Sequence, residues 1–220
     1  MSLIRDLVQA FLYVQRQQGW RSAFSLAVQF VRLPFFEFHR GFVLRKSLEQ
    51  PIDITAPRVA VSIRQATLDD LALLETIVPP LRVKRLAKKM RAGEICFVAI
   101  QEQRVVAYVL AGFANTPSTK DAQLNLGPKE AYLWAGYALP QYRRQGVVRA
   151  VNLSLCRLLR EDGYESVVLL VDRHNRASLG HCHKMGYRVT DRVTYLRVLR
   201  WRVSQYGPIE PVRGRPIERV

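Results

Sequence analysis

The feature that most limits how this chain can fold is a repeated change between strand and helix patterns from residue 58 to residue 198. RVAVSIRQA alternates apolar and polar residues as a half-buried strand does, and the spacing of TLDDLALLETI is helical. Thr67 and Asp70 stand at the separation of a capping box where that helix begins. EICFVAI and VVAYVLAGF, joined by QEQR, then predict a two-stranded hairpin.

The second half of the chain continues the alternation. AYLWAGYAL predicts a strand at 131–139, and the residues after the following turn predict a helix that ends at Gly163. ESVVLLV is a short apolar run typical of a strand covered on both faces. NRASLGHCHKM predicts another helix, and residues 187–198 predict a final strand. Strands that precede and follow helices in this way predict an α/β fold with a mixed sheet.

The two ends of the chain differ from this central region. Apolar residues at helical spacing up to Val31 predict two amphipathic helices, and LPFFEFHRGF follows them. We therefore expect an N-terminal helical extension at 1–52, a main domain at 53–200 and a Pro- and Arg-containing tail at 201–220. The extension either covers the main domain or lies on a membrane or partner, because aromatic residues beside arginines are common in interfacial segments.

The charge of the chain favours anionic partners. Its 34 Lys and Arg against 18 Asp and Glu give a formal charge of +16, which suits phosphorylated cofactors, acidic substrates, nucleic acid or anionic membranes. The basic helix predicted from LRVKRLAKKMRA is better explained as a solvated face. No array of stacking aromatic residues of the RNA-binding type accompanies it, so nucleic acid is not the expected partner.

The cysteines indicate the compartment. Cys96, Cys156 and Cys182 are odd in number, and the sequence has no CxxC pair or clustered His/Cys spacing. We therefore expect reduced thiols, no metal site and a cytoplasmic protein. No apolar run reaches the roughly 18 residues of a membrane-spanning helix. The first residues lack the cleavage pattern of a secretory signal, so the mature chain is expected to begin at Met1.

The turn in PQYRRQGVVRA, between the strand at 131–139 and the helix after it, is the first candidate binding site. The first amides of a helix have no partner within the helix, and the helix dipole adds positive potential at the same end. Gly146 allows an oxygen to approach the backbone, and Arg143 and Arg144 add positive charge. These features favour a pyrophosphate group. The Walker lysine motif and the two-glycine dinucleotide motif are both absent.

This turn resembles the pyrophosphate loop of the GNAT (GCN5-related N-acetyltransferase) acyltransferases. Their pattern is Q/R-x-x-G-x-G/A, in which Arg143 and Gly146 match and Val148 stands where Gly or Ala is usual. VDRHNRASLGHCHKMGYRV is similar to a later family motif, and VSIRQATLDDLALL resembles the family's first strand and helix. The resemblance covers about residues 58–199. It implies a mostly antiparallel central sheet flanked by helices and transfer of an acyl group from acyl-CoA to an amine, without a metal.

The resemblance also implies which residues bind the cosubstrate. Backbone groups of Tyr137, Ala138 and Leu139 would pair with the pantetheine arm, and Asn175 and Ser178 would line it. The pyrophosphate would be held by the turn, namely by Arg143, Arg144, Gln145, Gly146, Val147 and Val148.

The catalytic groups follow the family pattern less closely. Where the family commonly has a tyrosine that protonates the leaving thiolate, this chain has Cys182, flanked by His181 and His183. Either Cys182 donates the proton or it packs as a small apolar residue. Glu130 and Asp172, at strand ends expected to border the cleft, are the candidate bases.

The sequence therefore predicts an N-acyltransferase that moves an acetyl group from acetyl-CoA, or another acyl group from its CoA ester, to a primary amine by direct attack. The alternative is a catalytically weak acyl-CoA-binding protein or a membrane-associated adaptor. A peripheral membrane contact through the N-terminal segment and a homodimer are left open, and the amine acceptor is not identified.

Overall fold

The computed structural model describes residues 36–198 and 201–208. In this part of the chain, eight strands form one sheet in the order β2-β3-β4-β5-β6-β1-β7-β8. Neighbouring strands are antiparallel except β5 and β6, which are parallel. The expected fold class, a mixed and mostly antiparallel sheet flanked by helices, is confirmed. The strands are β1 Phe36–Ser47, β2 Ser62–Gln65, β3 Ile95–Gln101, β4 Arg104–Gly112, β5 Glu130–Ala138, β6 Ser166–Asp172, β7 Arg188–Val198 and β8 Trp201–Pro208.

Helices cover both faces of the sheet. The side chain of Val43 in β1 packs with Leu126 and Val193, whereas its neighbour Leu44 belongs to the larger core that includes residues from the last two helices. Successive strand residues point to opposite faces, so these two clusters lie on opposite sides. The helices are α1 Leu71–Leu74, α2 Pro80–Arg91, α3 Pro117–Ala122, α4 Val147–Glu161 and α5 Arg176–Lys184, with single 3₁₀ turns at Leu68–Asp70 and Pro140–Tyr142.

Hydrogen bonds fix which helices share a face. Lys89 Nζ on α2 donates to Ser118 Oγ on α3 over 2.8 Å. On the other side, the Tyr187 hydroxyl, just after α5, donates to Asn152 Oδ1 on α4 over 3.0 Å. Thus α2 and α3 lie together, and α4 and α5 lie together on the opposite face.

Two local predictions are confirmed in detail. The β3–β4 hairpin turns at Glu102 and Gln103, both with positive φ, as a two-residue hairpin loop requires. At the start of the first helical segment, the Thr67 N–H donates to Asp70 Oδ2 over 2.8 Å. Arg64 holds the same carboxylate from β2, with 2.6 and 2.7 Å bonds, and this hydrogen-bonded guanidinium lowers the pKa of Asp70 to about 2.

The expectation that residues 1–52 form a helical extension is wrong for residues 36–47. They form β1, which pairs with β6 from Gly41 to Ser47 and with β7 from Phe36 to Arg45. Four of the five even-numbered positions of FEFHRGFVL are apolar, namely Phe36, Phe38, Phe42 and Leu44, which fits the strand period of two. The two amphipathic helices expected before this strand lie outside the described residues.

The tail also begins later than expected. Residues 201–208 form β8, an edge strand that pairs with β7 from Trp201 to Pro208. The Tyr206 hydroxyl donates to the Ala122 carbonyl over 2.6 Å, which ties this strand to the end of α3. Residues 209–220 lie outside the described part of the chain.

The three cysteines are free and buried, which confirms the expected thiols. Within 36–198 and 201–208, no helix combines the length and apolar character that a membrane span requires.

The contact between β1 and β6 gives a stability prediction. A Cβ on Gly41 would stand 2.5 Å from the Val171 carbonyl oxygen, so Gly41→Ala should push the two strands apart. We expect it to destabilise the protein by about 1–3 kcal/mol. The melting temperature, measured by circular dichroism, should fall by roughly 2–10 °C.

Gly207→Ala in β8 is the matched control, because a Cβ there meets nothing within 4 Å. Equal melting temperatures for the two variants would contradict close packing of β1 on β6.

Candidate functional site

The site begins where β5 and β6 part. These parallel strands pair only from Glu130–Ser166 to Tyr132–Val168. Beyond that point β5 remains paired with β4 up to Ala138, and β6 remains paired with β1 up to Asp172. Each strand therefore keeps its outer neighbour and loses its inner one. A gap opens in the sheet, with backbone groups of β5 along one edge.

A β-bulge re-aims β5 beside this gap. The β4–β5 register shifts between Tyr108 and Leu110, and Ala135 has the left-handed φ of 54°. A bulge bends its strand and increases the local twist. After it, Gly136 to Ala138 form one wall of a cleft of about 940 Å³. The cleft is thus built on the unpaired edge of β5.

The end of β5 leads into the predicted turn. After the 3₁₀ turn, Gly146 takes a φ of 83° as the N-cap of α4, and no side chain caps this helix start. The first amides of α4 consequently have no intrahelical partner. Val147 and Val148, the first two helical residues, line the cleft. This arrangement presents helix N–H groups and the positive end of the dipole to the cleft.

Two arginines of the turn add positive charge at the same end. Arg143 Nε donates to the Ala138 carbonyl over 3.3 Å, and its guanidinium carbon lies 5.9 Å from the centre of the Tyr137 ring. Arg144 follows with a left-handed φ of 63°. Both side chains are exposed and both line the cleft. The geometry suits an anionic group that also contacts the start of α4.

Most of the expected binding residues meet in the cleft. The residues that line it as expected are Tyr137, Ala138, Arg143, Arg144, Gly146, Val147, Val148, Asn175 and Ser178. Leu139 is buried, and its N–H donates to the Val106 carbonyl over 3.0 Å. The Gln145 carbonyl accepts a 2.9 Å bond from the Arg58 N–H. These last two residues support the turn from behind and do not line the cleft.

The opposite wall of the cleft is α5. Asn175 is its N-cap, and its side-chain oxygen accepts a 3.1 Å bond from the Ser178 N–H. His181 lies on the same wall, and its Nε2 is buried without a hydrogen-bond partner in residues 36–198 and 201–208. Burial is the main cause of a lowered His181 pKa, and the charges of Arg149 and Lys184 lower it further.

Several lining residues were not predicted from the sequence. These are Gly136, Tyr142, Arg149, Arg176, Ala177, Gly180, His181 and Lys184. A signal for His181 was present, because Asn175, Ser178 and His181 follow one another at intervals of three residues. Residues three apart lie on one side of a helix. Arg149 carried no such signal, since its approach to α5 depends on how the two helices pack.

Of the two alternatives for Cys182, the structure agrees with the packing residue and not with the catalytic proton donor. Its side chain is 5% exposed and belongs to the hydrophobic core beneath α5. Burial raises the pKa of its thiol to about 11. On a helix Cys182 points about 100° away from His181, which explains why one lines the cleft and the other packs inward.

Glu130 and Asp172 do not meet in one site. Glu130 pairs with Ser166 at the closed end of the β5–β6 pair, whereas Asp172 ends β6 at the open end. Asp172 is six residues beyond Ser166 along β6, so Glu130 and Asp172 lie about 20 Å apart along the strand direction. The Glu130 carboxylate forms an ion pair with Arg45 and accepts bonds from the Gly127 N–H and the Ser166 hydroxyl. Its placement at the cleft is therefore corrected.

Asp172 lines a second pocket on the other face of the sheet. Its Oδ1 accepts a 2.8 Å bond from the His174 N–H. This second pocket has a volume of about 370 Å³, and its other lining residues are Arg40, Gly41, Ala122, Tyr132, Leu170, Val171, Val193, Tyr195, Ser204 and Tyr206. Tyr132 is the last residue of β5 that pairs with β6, and Leu170 lies on β6 beyond that pair. The second pocket thus reaches the level at which the two strands part.

Within the described part of the chain, no group of three or more His, Cys, Asp or Glu residues could hold a metal ion.

Comparison with protein families gives one match that spans more than half of the chain. The model of the acetyltransferase (GNAT) family matches residues 66–187, from the end of β2 to the start of β7. The matched region contains β5, β6, α4 and α5, and hence both walls of the cleft. No curated protein matches the chain.

Solved structures share the fold at low sequence identity. A Drosophila protein superposes with a TM-score of 0.56 at 15% identity, over 79% of this chain and 55% of that one. A GCN5-related N-acetyltransferase from Sphaerobacter thermophilus gives a TM-score of 0.54 at 15% identity, over 85% of this chain and 58% of that one. A GNAT-family protein from Novosphingobium aromaticivorans gives 0.52 at 13% identity, over 80% and 69%. The chain spans little more than half the length of the first two.

The charge at the Gly146 turn gives a binding prediction. Because Arg143 and Arg144 belong to this turn and line the cleft, the double variant Arg143→Gln/Arg144→Gln should bind inorganic pyrophosphate at least about 10-fold more weakly. Isothermal titration calorimetry at fixed salt measures the change.

Arg157→Gln/Arg160→Gln, two exposed positions further along α4, makes the same change in net charge and is the control. If both double variants lose affinity equally, the net charge of the chain, and not the turn, attracts the anion.

Proposed function

Because the chain belongs to the acetyltransferase (GNAT) family, we propose that it transfers an acetyl group from acetyl-CoA to a primary amine by direct attack. Family membership supports an acyl-CoA-dependent N-acetyltransferase. The observation that carries the proposal is the continuous surface from the unpaired edge of β5 to the uncapped start of α4. The edge of β5 offers main-chain N–H and C=O groups for hydrogen bonds, and the start of α4, next along the same surface, offers an anion site.

This surface matches the chemistry of coenzyme A. An extended amide-containing chain can add to an open strand edge, so the pantetheine arm would lie along Gly136 to Ala138. Its diphosphate would then reach the Gly146 turn, where helix amides and two guanidinium groups meet. Asn175 and Ser178 would contact the arm from α5. The thioester would lie deeper in the gap, near the level at which β5 and β6 part.

The acceptor amine would approach from the opposite face. The second pocket reaches the same opening and is lined mainly by apolar and aromatic side chains, with Asp172 as its carboxylate. We expect Asp172 to attract the ammonium group of the acceptor. The amine nitrogen, once neutral, would attack the thioester carbonyl through the gap, and main-chain N–H groups would stabilise the developing oxyanion.

A second candidate function is acyl-CoA binding without turnover. The burial of Cys182 favours it, because this residue stands where related enzymes commonly place a proton-donating tyrosine. A binder would be stabilised by coenzyme A and would form no product.

Single-turnover mass spectrometry tests the choice. Wild-type protein is mixed with acetyl-CoA and a panel of primary amines, and acetylated amine is followed alongside free coenzyme A. Product that accumulates faster than in a protein-free mixture supports acetyl transfer. Thermal stabilisation by coenzyme A with no product for any amine supports the binder, and no stabilisation at all would refute both functions.

The second pocket gives a separate prediction. Leu170→Trp should fill part of this pocket and raise the acceptor KM by roughly 10-fold or more. The dissociation constant for coenzyme A should stay unchanged, because Leu170 does not line the cleft.

Val203→Trp is the matched control, since this side chain is 59% exposed on β8 and does not line the second pocket. A Leu170→Trp variant with wild-type acceptor KM would place the acceptor elsewhere.

A further inference from the structure

His181 has an unused hydrogen-bonding atom in a confined site. Its Nε2 is buried and has no partner among the described residues, although a buried polar atom ordinarily has one. The same side chain lines the cleft near the middle of the α5 wall, between Ser178 and Lys184. A buried nitrogen without a partner, on a residue that lines a binding cleft, becomes available to a bound molecule once the imidazole turns toward the cleft.

The direction of α5 places His181 near the reacting end of the cleft. Asn175 follows β6 closely and lies at the open end of the gap. The other end of α5 is fixed by Lys46 Nζ, which donates to the Met185 carbonyl over 2.7 Å. Lys46 pairs with Val167, at the level where β5 and β6 are still joined. His181 is one turn before Met185, about 6 Å along the helix axis, and therefore lies nearer the Met185 end of α5 than Asn175 does.

The environment keeps the imidazole neutral. Desolvation disfavours the charged form of the imidazole. The positive charges of Arg149 on α4 and Lys184 on α5 disfavour that form further, so the pKa of His181 lies below the usual 6.5. The other ionisable side chains that line this cleft are the cations Arg143, Arg144 and Arg176 and the phenols Tyr137 and Tyr142. Among the residues that the structure describes, no carboxylate lines the cleft to reverse this effect. A neutral imidazole can accept a proton, and a disfavoured imidazolium releases it readily.

We propose that His181 is the proton-transfer residue of the acetyl transfer reaction, an inference that rests on the function proposed above. The neutral amine attacks the thioester carbonyl carbon, which forms the C–N bond and moves the carbonyl electron pair to oxygen. His181 Nε2 removes the proton from the nitrogen, which has become positive. The carbonyl re-forms, the C–S bond breaks, and the departing sulfur takes that proton from His181. The products are the amide and free thiol, and the imidazole is neutral again.

One group can serve both steps for a geometric reason. In the tetrahedral intermediate the nitrogen and the sulfur are bonded to the same carbon, so an imidazole within reach of one is close to the other. Cys182 cannot share this role, because its thiol is buried in the core. His181 thereby replaces the tyrosine as proton donor. It acts first as a base toward the nitrogen and then as an acid toward the sulfur.

His181→Gln is the test, because glutamine keeps a polar side chain but cannot carry the proton. We expect kcat to fall by roughly 100-fold or more, with the coenzyme A dissociation constant, measured by calorimetry, within about 3-fold of wild type. That intact binding also shows that the variant is folded. His183→Gln, on an exposed position two residues away, and Cys182→Ala should each keep kcat within about 3-fold.

The pH dependence supplies a second readout. Only the neutral imidazole accepts the proton, so the contribution of His181 is present above its pKa and is lost as pH falls through it. The ratio of wild-type to His181→Gln kcat/KM should therefore decrease below about pH 6.5. The ionisation of the acceptor affects both proteins and cancels in this ratio.

Three results would overturn the proposal. An unchanged kcat in His181→Gln removes His181 from the chemistry while acetyl transfer stands. A loss of coenzyme A affinity of 10-fold or more with an unchanged kcat makes His181 a ligand of the phosphates. Wild-type protein that binds coenzyme A and acetylates no amine overturns acetyl transfer and His181 together, which distinguishes that failure from the first two.

Discussion

The parting of β5 and β6 is the constraint on which the rest of the structure depends. Two parallel strands that start paired would ordinarily continue to pair along their length. Here β5 is held by β4 through the bulge at Ala135, and β6 is held by β1 as far as Asp172. Since each strand stays hydrogen-bonded to a different outer neighbour, neither bends to follow the other. The open edges, the cleft and the second pocket all follow from this competition.

The N-terminal strand gives this arrangement an unusual dependence on distant sequence. β1 lies outside the region 66–187 that matches the family, yet it joins β6 to β7 and so holds the second half of the sheet together. Gly41 allows β1 to approach the carbonyl of Val171 near the end of β6. One wall of the gap is therefore positioned by residues about 120 positions earlier in the chain.

The sequence predicted the elements whose signals are local. The β3–β4 hairpin, α4 and the Gly146 turn depend on neighbouring residues, and all three were predicted close to their observed bounds. β1 was missed because its aromatic residues also suit an interfacial segment, and because its partners at 166–198 are too distant in the chain to support the alternating pattern locally. The sequence left Cys182 open between proton donor and packing residue, because only the packing of α5 on the sheet determines which side of the helix is buried. Glu130 was misjudged because its level in the sheet follows only from the register with Ser166.

The positive charges around the cleft have two effects, one on a bound anion and one on the imidazole of His181. Arginines at the Gly146 turn favour an anion, while Arg149 and Lys184 make a charged imidazole at His181 less favourable. Both effects come from the same excess of cations around one cavity, and neither requires a carboxylate there. A family site with a phenol as proton donor needs no such balance, since a phenol is neutral beside cations. With the phenol position occupied by a buried thiol, a cationic cleft is the environment in which a histidine stays available as a base near neutral pH.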